Sequence, residues 1–313
     1  MADFEHILQL LDWHREPKGL YEPIGYTLAE GGKRLRPRLA LMSAAMYGAE
    51  EQAVPVALAL EIFHNFTLLH DDLMDKAPTR RGRPTVYLRW NENTAILSGD
   101  QMLIEAYKQL EKLPDYLLAK VLHIFSTMAT EICEGQQRDM DFEDMEEVSA
   151  DDYMLMIKQK TSVLLGAALE MGALVGGATE KDRHLLRQAG VELGLAFQIQ
   201  DDILDTYGDP NTFGKAIGGD ILQNKKTLLL ITAQRQANDE QRTTLDKWLH
   251  ADNFVQEDKI NAVREIYNQT GAREICERCM ADRTDNAIRL LKEVSADTNA
   301  LQTLATTMLC RKS

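Results

Sequence analysis

Asp71, Asp72 and Asp75 in HDDLMD, and Asp201, Asp202 and Asp205 in FQIQDDILD, repeat one arrangement of three carboxylates at i, i+1 and i+4. On a helix turning about 100° per residue, the first and third of each set lie about 40° apart and one turn apart, so they face the same way. Like charges this close raise one another's pKa unless a cation neutralises them. Hard oxygen donors that leave open positions suit Mg2+, which keeps waters and shares its shell with phosphate oxygens. One copy alone reads equally well as a solvated acidic helix end. Two copies point to the walls of one metal site and to a phosphorylated substrate. A calcium-buffering loop needs all its ligands in one short segment around a central glycine, and neither cluster has that. Asp151 and Asp152 in DDYML lack the third carboxylate and read as a helix N-terminus.

Four basic islands stand out. GGKRLRPRL, residues 31–39, carries Lys33, Arg34, Arg36 and Arg38; RRGR carries Arg80 and Arg81; KQKT carries Lys158, Lys160 and Thr161; GKAIGGDILQNKKT carries Lys215, Lys225 and Lys226. The glycines at 31 and 32 let backbone approach an anion, and Pro37 near the start of a helix leaves amide groups free to face one. Two cation sets beside two aspartate sets imply two anionic ligands, one bound through metal and one directly by Lys and Arg. With 49 acidic against 35 basic side chains and a formal charge of −14, bulk attraction to nucleic acid or anionic membranes is excluded. Any anion must be held locally.

The elements that must position these groups are helices. Six of the eight prolines precede residue 85, and the rest of the chain consists of long stretches of helical apolar spacing with few turn signals. The pattern predicts an all-α chain with helices near 3–12, 35–47, 52–75, 93–111, 115–139, 150–176, 181–206, 221–237, 240–250, 257–268, 272–293 and 297–309, and no sheet. Each aspartate cluster then closes a helix and precedes a loop, 76–92 or 207–219. The apolar SVLLGAALEMGALVGGA, residues 162–178, suits the centre of a bundle. The charged 240–313 stretch reads as outer helices of one domain over 1–313. The N-terminus lacks the pattern of a secretory signal. No uninterrupted apolar run approaches the roughly 18–20 residues that cross a bilayer. Four cysteines in 313 residues fit a reducing compartment. Cys276 and Cys279 form a CxxC without a second pair at zinc spacing, which reads as packing on an amphipathic helix. The expectation is a cytoplasmic protein without a transmembrane segment.

GGKRLRP, DDLMD followed by RRGRPT, the KT of QKTSVLL, FQIQDDILD and GKAIGGDILQNK stand in the order and at the separations of one family, so the chain resembles the trans-isoprenyl diphosphate synthases, or polyprenyl synthetases. The motifs span about 30–230. The resemblance implies an all-α bundle around a deep central cavity, a homodimer, and head-to-tail joining of isopentenyl diphosphate to an allylic diphosphate (dimethylallyl, geranyl or farnesyl). It implies Asp71, Asp75 and Asp201 as Mg2+ ligands supported by Asp72, Asp202 and Asp205, with about three ions per occupied site and Mn2+ as a substitute. Arg80, Lys160, Thr161, Gln198, Lys215 and Lys225 are similar to the groups that hold the allylic diphosphate, and Lys33, Arg36, His64 and Arg81 to those that hold isopentenyl diphosphate. Ionisation of the allylic C–O bond gives a delocalised cation that the isopentenyl double bond attacks, and the adduct loses a proton to the departing diphosphate. No protein nucleophile is needed, in keeping with a sequence that offers no Ser/His/Asp or Cys/His constellation near these motifs.

Phe66 stands five residues before Asp71, the family's position for the floor on which the growing chain stops. Helical rise places it about 7.5 Å below the metal site. Phe63, one turn away, and Thr67 also shape this region, while core packing accounts for the two rings equally well. An aromatic floor without the two-residue insertion of bacterial farnesyl enzymes resembles the geranylgeranyl type and favours C20 over C15. A class I terpene cyclase shares DDxxD but has no use for GGKRLRP or a second diphosphate site. A non-catalytic regulatory subunit would be expected to have lost one of the two clusters.

Overall fold

A computed structural model describes residues 4–208 and 217–309, and among them the chain is helical apart from one two-residue hairpin. Its first part contains α1 (Phe4–Gln9), α2 (Lys18–Leu28), α3 (Leu35–Ala45), α4 (Val54–Met74), α5 (Val86–Arg89), α6 (Glu92–Leu110), α7 (Asp115–Asp144), α8 (Ala150–Ile157), α9 (Val163–Val175) and α10 (Glu180–Tyr207). Helices at Gly219–Leu222, Leu228–Gln236, Asp239–Leu249, Gln256–Gln269, Ala272–Glu293 and Asn299–Leu309 come after them. The expectation of an all-α chain is met.

Four local differences have physical reasons. The expected helices leave out α2, whose Gly19, Pro23 and Gly25 lower local helix propensity. Pro23 cannot donate to the Gly19 carbonyl, but Gly19 is exposed to water while Ile24, Tyr26, Thr27 and Leu28 are buried. The predicted 150–176 helix is interrupted by a π-helical turn at Lys158–Ser162. The predicted 221–237 helix is two, parted at Gln223–Thr227, where Asn224 takes a positive φ of 54°. Within the predicted loop 76–92, Thr79–Arg80 (β1) pairs antiparallel with Arg83–Pro84 (β2). Arg81 and Gly82 both have positive φ, 50° and 76°, the backbone of a two-residue turn that matches strand twist.

The chain forms two compact units, one of Met1–Ser126, Ala167–Arg187 and Ser295–Asp297, the other of Thr127–Gly166, Gln188–Val294 and Thr298–Ser313. In the first unit α4 packs on α6 and α3, and α2 also lies on α6. Gly172 on α9 meets α3 so closely that a β-carbon there would sit 2.1 Å from the Ala40 carbonyl oxygen, and Ser43 donates to the Leu169 carbonyl at 2.7 Å. This is the close helix approach anticipated for the Ala/Gly-rich stretch. In the second unit, Tyr153, Leu195, Ile199, Leu229, Leu245, Val263, Ile266, Tyr267 and Cys276 belong to one apolar cluster, with Cys279 packed against it. The CxxC pair is therefore a packing feature of this core, and burial pushes the Cys276 thiol up to about 12. Leu245, Val263, Ile266, Tyr267, Ala272 and Cys276 bring the helices between Asp239 and Glu293 into this core.

The segment Glu51–Met74, which includes α4, is long and apolar enough by composition to cross a membrane, with mean hydropathy 1.3. Its apolar length exceeds what reading for uninterrupted runs detects. It also carries Glu61, His64, Asn65, His70, Asp71 and Asp72, and 61% of its most apolar window is buried inside the protein.

Candidate active-site residues

In the first unit, α4 ends where its aspartates stand. Asp75 is the C-cap and Lys76 comes next with φ 51°. The Ala77 N–H donates to the Asp72 carbonyl at 2.9 Å and the Lys76 N–H to that of Leu73 at 3.3 Å, the paired bonds of a helix stopped by a left-handed residue. Three carboxylates thus gather at the negative end of a helix dipole, an unfavourable place without a cation. They are not equivalent. Asp72 is buried and accepts from Arg80 Nε at 2.8 Å and Nη2 at 2.7 Å, whereas Asp71 is half-buried and Asp75 exposed. Burial alone would lower the Arg80 pKa, but Asp72, with Asp71 and Glu30 beyond it, holds the guanidinium above its ordinary value.

Four arginines of the first two islands act on His64 through their charge. Burial, then the charges of Arg36, Arg81, Arg80 and Arg34, hold the His64 pKa well below its ordinary value, so the ring is neutral. Arg81, at the hairpin tip, donates to the Glu30 carbonyl at 3.0 Å. Its guanidinium lies over Gly32, where a β-carbon would approach it to 3.1 Å. Lys33 is exposed on the loop before α3 and Arg36 is half-buried. Arg34 separates from this group. It is 8% exposed and left-handed at the N-cap of α3, and it binds Glu61 at 2.5 Å, Glu5 at 2.8 Å and the Leu28 carbonyl at 2.9 Å. Its place in the basic run reflects an internal ion pair.

Below the aspartates the aromatic rings form a series. Phe66 meets His70 at 4.8 Å between centroids and Phe63 at 5.5 Å, and Phe63 meets Phe125 at 5.2 Å. Phe63 is a core residue, 1% exposed, while Phe66 is half-buried. The Thr67 hydroxyl donates to the His64 carbonyl at 2.8 Å, within its own helix.

In the second unit the members of the second triad likewise differ in burial and partners. Asp202, buried near the end of α10, accepts from the Tyr153 hydroxyl at 2.5 Å and the Gln198 amide at 3.0 Å, and Gln198 in turn accepts from Thr161 at 3.1 Å. Burial, together with the charge of Asp220, pushes Asp202 up to about 8 against the Tyr153 and Gln198 bonds. Crowded carboxylates behave in this way. Asp205 accepts from the Asp220 N–H at 2.9 Å, anchoring the Gly219–Leu222 turn, and Asp201 is half-buried. Lys160 pairs with Asp139 at 2.6 Å. The Lys225 N–H donates to the Asp220 carbonyl at 2.9 Å. Lys215 lies outside the described residues.

Lys160 and Thr161 occupy the π-helical turn, a distortion often found at functional sites. Two glycines accommodate it: a β-carbon at Gly135 would lie 2.3 Å from the Lys160 nitrogen, and one at Gly194 2.4 Å from Ser162 Cα. Glycines inside otherwise regular helices were the available signal for this feature. Sequence reasoning missed Tyr153, Asp139, and the Arg138–Gln159–Glu134 bonds at 2.9 and 2.7 Å. Nothing local marks these residues, since their partners lie 21 to 49 positions away.

As a cation site, the donors fit: hard oxygens one turn apart, accessible at Asp71 and Asp75, at the negative end of a helix. Among the described residues no group of three or more His, Cys, Asp or Glu side chains converges into a metal cage. The carboxylates would therefore supply part of a coordination shell and leave the rest to water or ligand oxygens.

Residues 17–267 match the polyprenyl synthetase family. A solved geranylgeranyl pyrophosphate synthase superposes with a TM-score of 0.94 at 43% identity, covering 99% of this chain and 97% of its own. The geranylgeranyl diphosphate synthase of Methanosarcina mazei is 41% identical over 220 residues, 69% of this chain and 68% of its own. The short chain isoprenyl diphosphate synthase of Methanothermobacter thermautotrophicus is 36% identical over 291 residues, 92% and 88% of the two chains.

Proposed function

The chain belongs to the polyprenyl synthetase family and is a trans-prenyltransferase; on that premise we propose that it joins isopentenyl diphosphate to dimethylallyl, geranyl and farnesyl diphosphate in turn, with Mg2+, to give an all-trans C20 product. The observation that carries the proposal is the presence of two intact aspartate triads, one at the end of α4 and one at the end of α10.

In this reading Asp71, Asp75 and Asp201 hold Mg2+, about three ions with substrate bound, and Mn2+ substitutes. A bound divalent ion supplies compensation for the charge that builds on the departing diphosphate oxygen. Asp72, Asp202 and Asp205 support the ligands, a role favoured by their engagement with Arg80, Tyr153 and the Asp220 amide. Arg80, Lys160, Thr161, Gln198, Lys215 and Lys225 hold the allylic diphosphate. Arg80 fixes Asp72 through two N–H groups and has others to offer a phosphate. Lys33, Arg36, His64 and Arg81 hold isopentenyl diphosphate, and a neutral His64 adds hydrogen bonding there without adding charge.

Phe66, backed by Phe63 and flanked by Thr67, is proposed as the floor that ends elongation, and the geranylgeranyl names of the relatives favour C20 over C15. A homodimer is part of the reading, supported by Leu88, Ile96, Leu97 and Ile104, which are 53%, 45%, 60% and 52% exposed on α5 and α6. So is a cytoplasmic location, supported by the burial of α4 and by unpaired Cys133, Cys276 and Cys279.

The test is incubation with radiolabelled isopentenyl diphosphate and each allylic primer, then chromatographic sizing of the dephosphorylated products. Label in a C20 alcohol is expected. Label left in unreacted isopentenyl diphosphate would overturn the reading.

A further inference from the structure

His70 directly precedes the first aspartate cluster, and its ring is confined on two sides. Its Nε2 lies 3.2 Å from the Ile96 carbonyl oxygen on α6; a carbonyl only accepts, so the imidazole donates there. The same ring edge covers Gly99, one turn further along α6. A β-carbon at 99 would stand 2.1 Å from Nε2, 2.5 Å from Cδ2 and 3.0 Å from Cε1. No side chain fits at 99 while His70 holds this position. Phe66 meets His70 edge-to-face at 4.8 Å and 68° and is bounded by Phe63 at 5.5 Å. Phe63 is itself fixed in the core against Phe125.

We propose that His70 is a positioning residue for product length and that Gly99 sets its position: α6 clamps the imidazole, and the imidazole clamps the Phe66 ring. The inference rests on the reading of Phe66 as the floor. A half-buried phenyl ring without its neighbour has other staggered rotamers within reach. Removing the imidazole while leaving Phe66 in place therefore opens the floor as truncating Phe66 does, only in part. A β-carbon at 99 drives the imidazole out of its place and disturbs the same ring from the opposite direction. The glycine in SGD is thus a determinant of chain length that never touches the growing chain.

The experiment sizes products from H70A, G99A, the double variant and F66A, each as purified full-length protein with its melting temperature recorded. H70A is expected to move product by about one five-carbon unit beyond that of the parent, and G99A to change the product ratio. The double variant is expected to recover the stability lost in G99A, because the imidazole that clashes is gone; such non-additivity marks a direct contact. F66A separates the two claims. If F66A lengthens the product while H70A and G99A keep the parental product ratio, the positioning role is overturned and the floor remains at Phe66. If F66A also leaves the product unchanged, the floor reading itself fails and the inference with it. Altered stability alone, at a constant product ratio, is the outcome for purely structural residues and overturns the proposal.

Discussion

Arg80 holds Asp72 through two N–H groups on one carboxylate oxygen, at 2.8 and 2.7 Å, while Asp71 and Asp75 in the same cluster remain at the accessible end of α4. Three aspartates that are alike in sequence thereby differ in setting: Asp72 is buried against Arg80, Asp71 is half-buried and Asp75 is exposed.

That difference sets an order of sensitivity. D71A is expected to lower kcat/KM by about a thousandfold or more, the scale of a lost charge-stabilising group, with the melting temperature near the parental value, and D201A is expected to do the same. D72N is expected to lower the melting temperature as well, since it leaves Arg80 short of its buried partner. Chelation should abolish turnover in the parent enzyme and added Mg2+ restore it. Steady-state assays beside thermal melts check all four, and near-parental turnover in D71A and D201A would dismiss the metal assignment.

Asp182, 2% exposed, offers a test by pH. Burial would raise its pKa, but bonds from the Ser295 hydroxyl and N–H, from Tyr47 and with Thr179 outweigh that and hold it below its ordinary value of 3.8. A carboxyl with a depressed folded-state pKa contributes stability that is present above the unfolded value and lost as pH falls through the folded one. The parent should therefore lose stability steeply below about pH 4. D182N should cost about 2 kcal/mol at pH 7 and show a shallower loss on acidification. Urea melts at pH 7 and pH 3.5 make the comparison.

Gly172 is a test of helix approach. G172A adds one carbon against the Ala40 backbone carbonyl, which cannot rotate aside. A loss of about 2 kcal/mol or more is expected, read from the urea midpoint at constant slope. A neutral outcome would mean that α3 and α9 separate freely.

The exposed side chains of α6 test assembly. L97E combined with I104E places two charges on the face proposed to pair with a second copy, and sedimentation should report half the parental mass at equal concentration. Unchanged mass would move the interface elsewhere. The product length of the variant is worth measuring in the same samples.

Much of the chain was legible because helices write their own spacing. The i, i+1, i+4 aspartates, and the helical extents of α3, α4, α6 and α10, derive from a fixed rise and turn per residue, and Asp151 and Asp152 do stand in the first turn of α8. Composition added to spacing in one respect: against a net charge of −14, the runs of Lys and Arg stood out as the places where an anion would have to be held. α2 escaped because local propensity at Gly19, Pro23 and Gly25 is outweighed by burial of residues further along the same helix, which no window around the breakers records.

What the sequence by itself determined is the spacing of the carboxylate and basic motifs and the helices that carry them. What only tertiary structure decided is how those residues divide their work. Arg34 and Arg81 are both arginines beside glycines, yet one is buried against Glu61 and Glu5 and the other stands over Gly32 at the tip of a hairpin. Asp72 and Asp202 are committed to Arg80 and Tyr153, partners 8 and 49 residues away. The reason is physical: helical periodicity is a property of neighbours in the chain, whereas a charge or a hydroxyl takes the partner that burial leaves within about 3 Å of it, and burial is set by packing between distant segments.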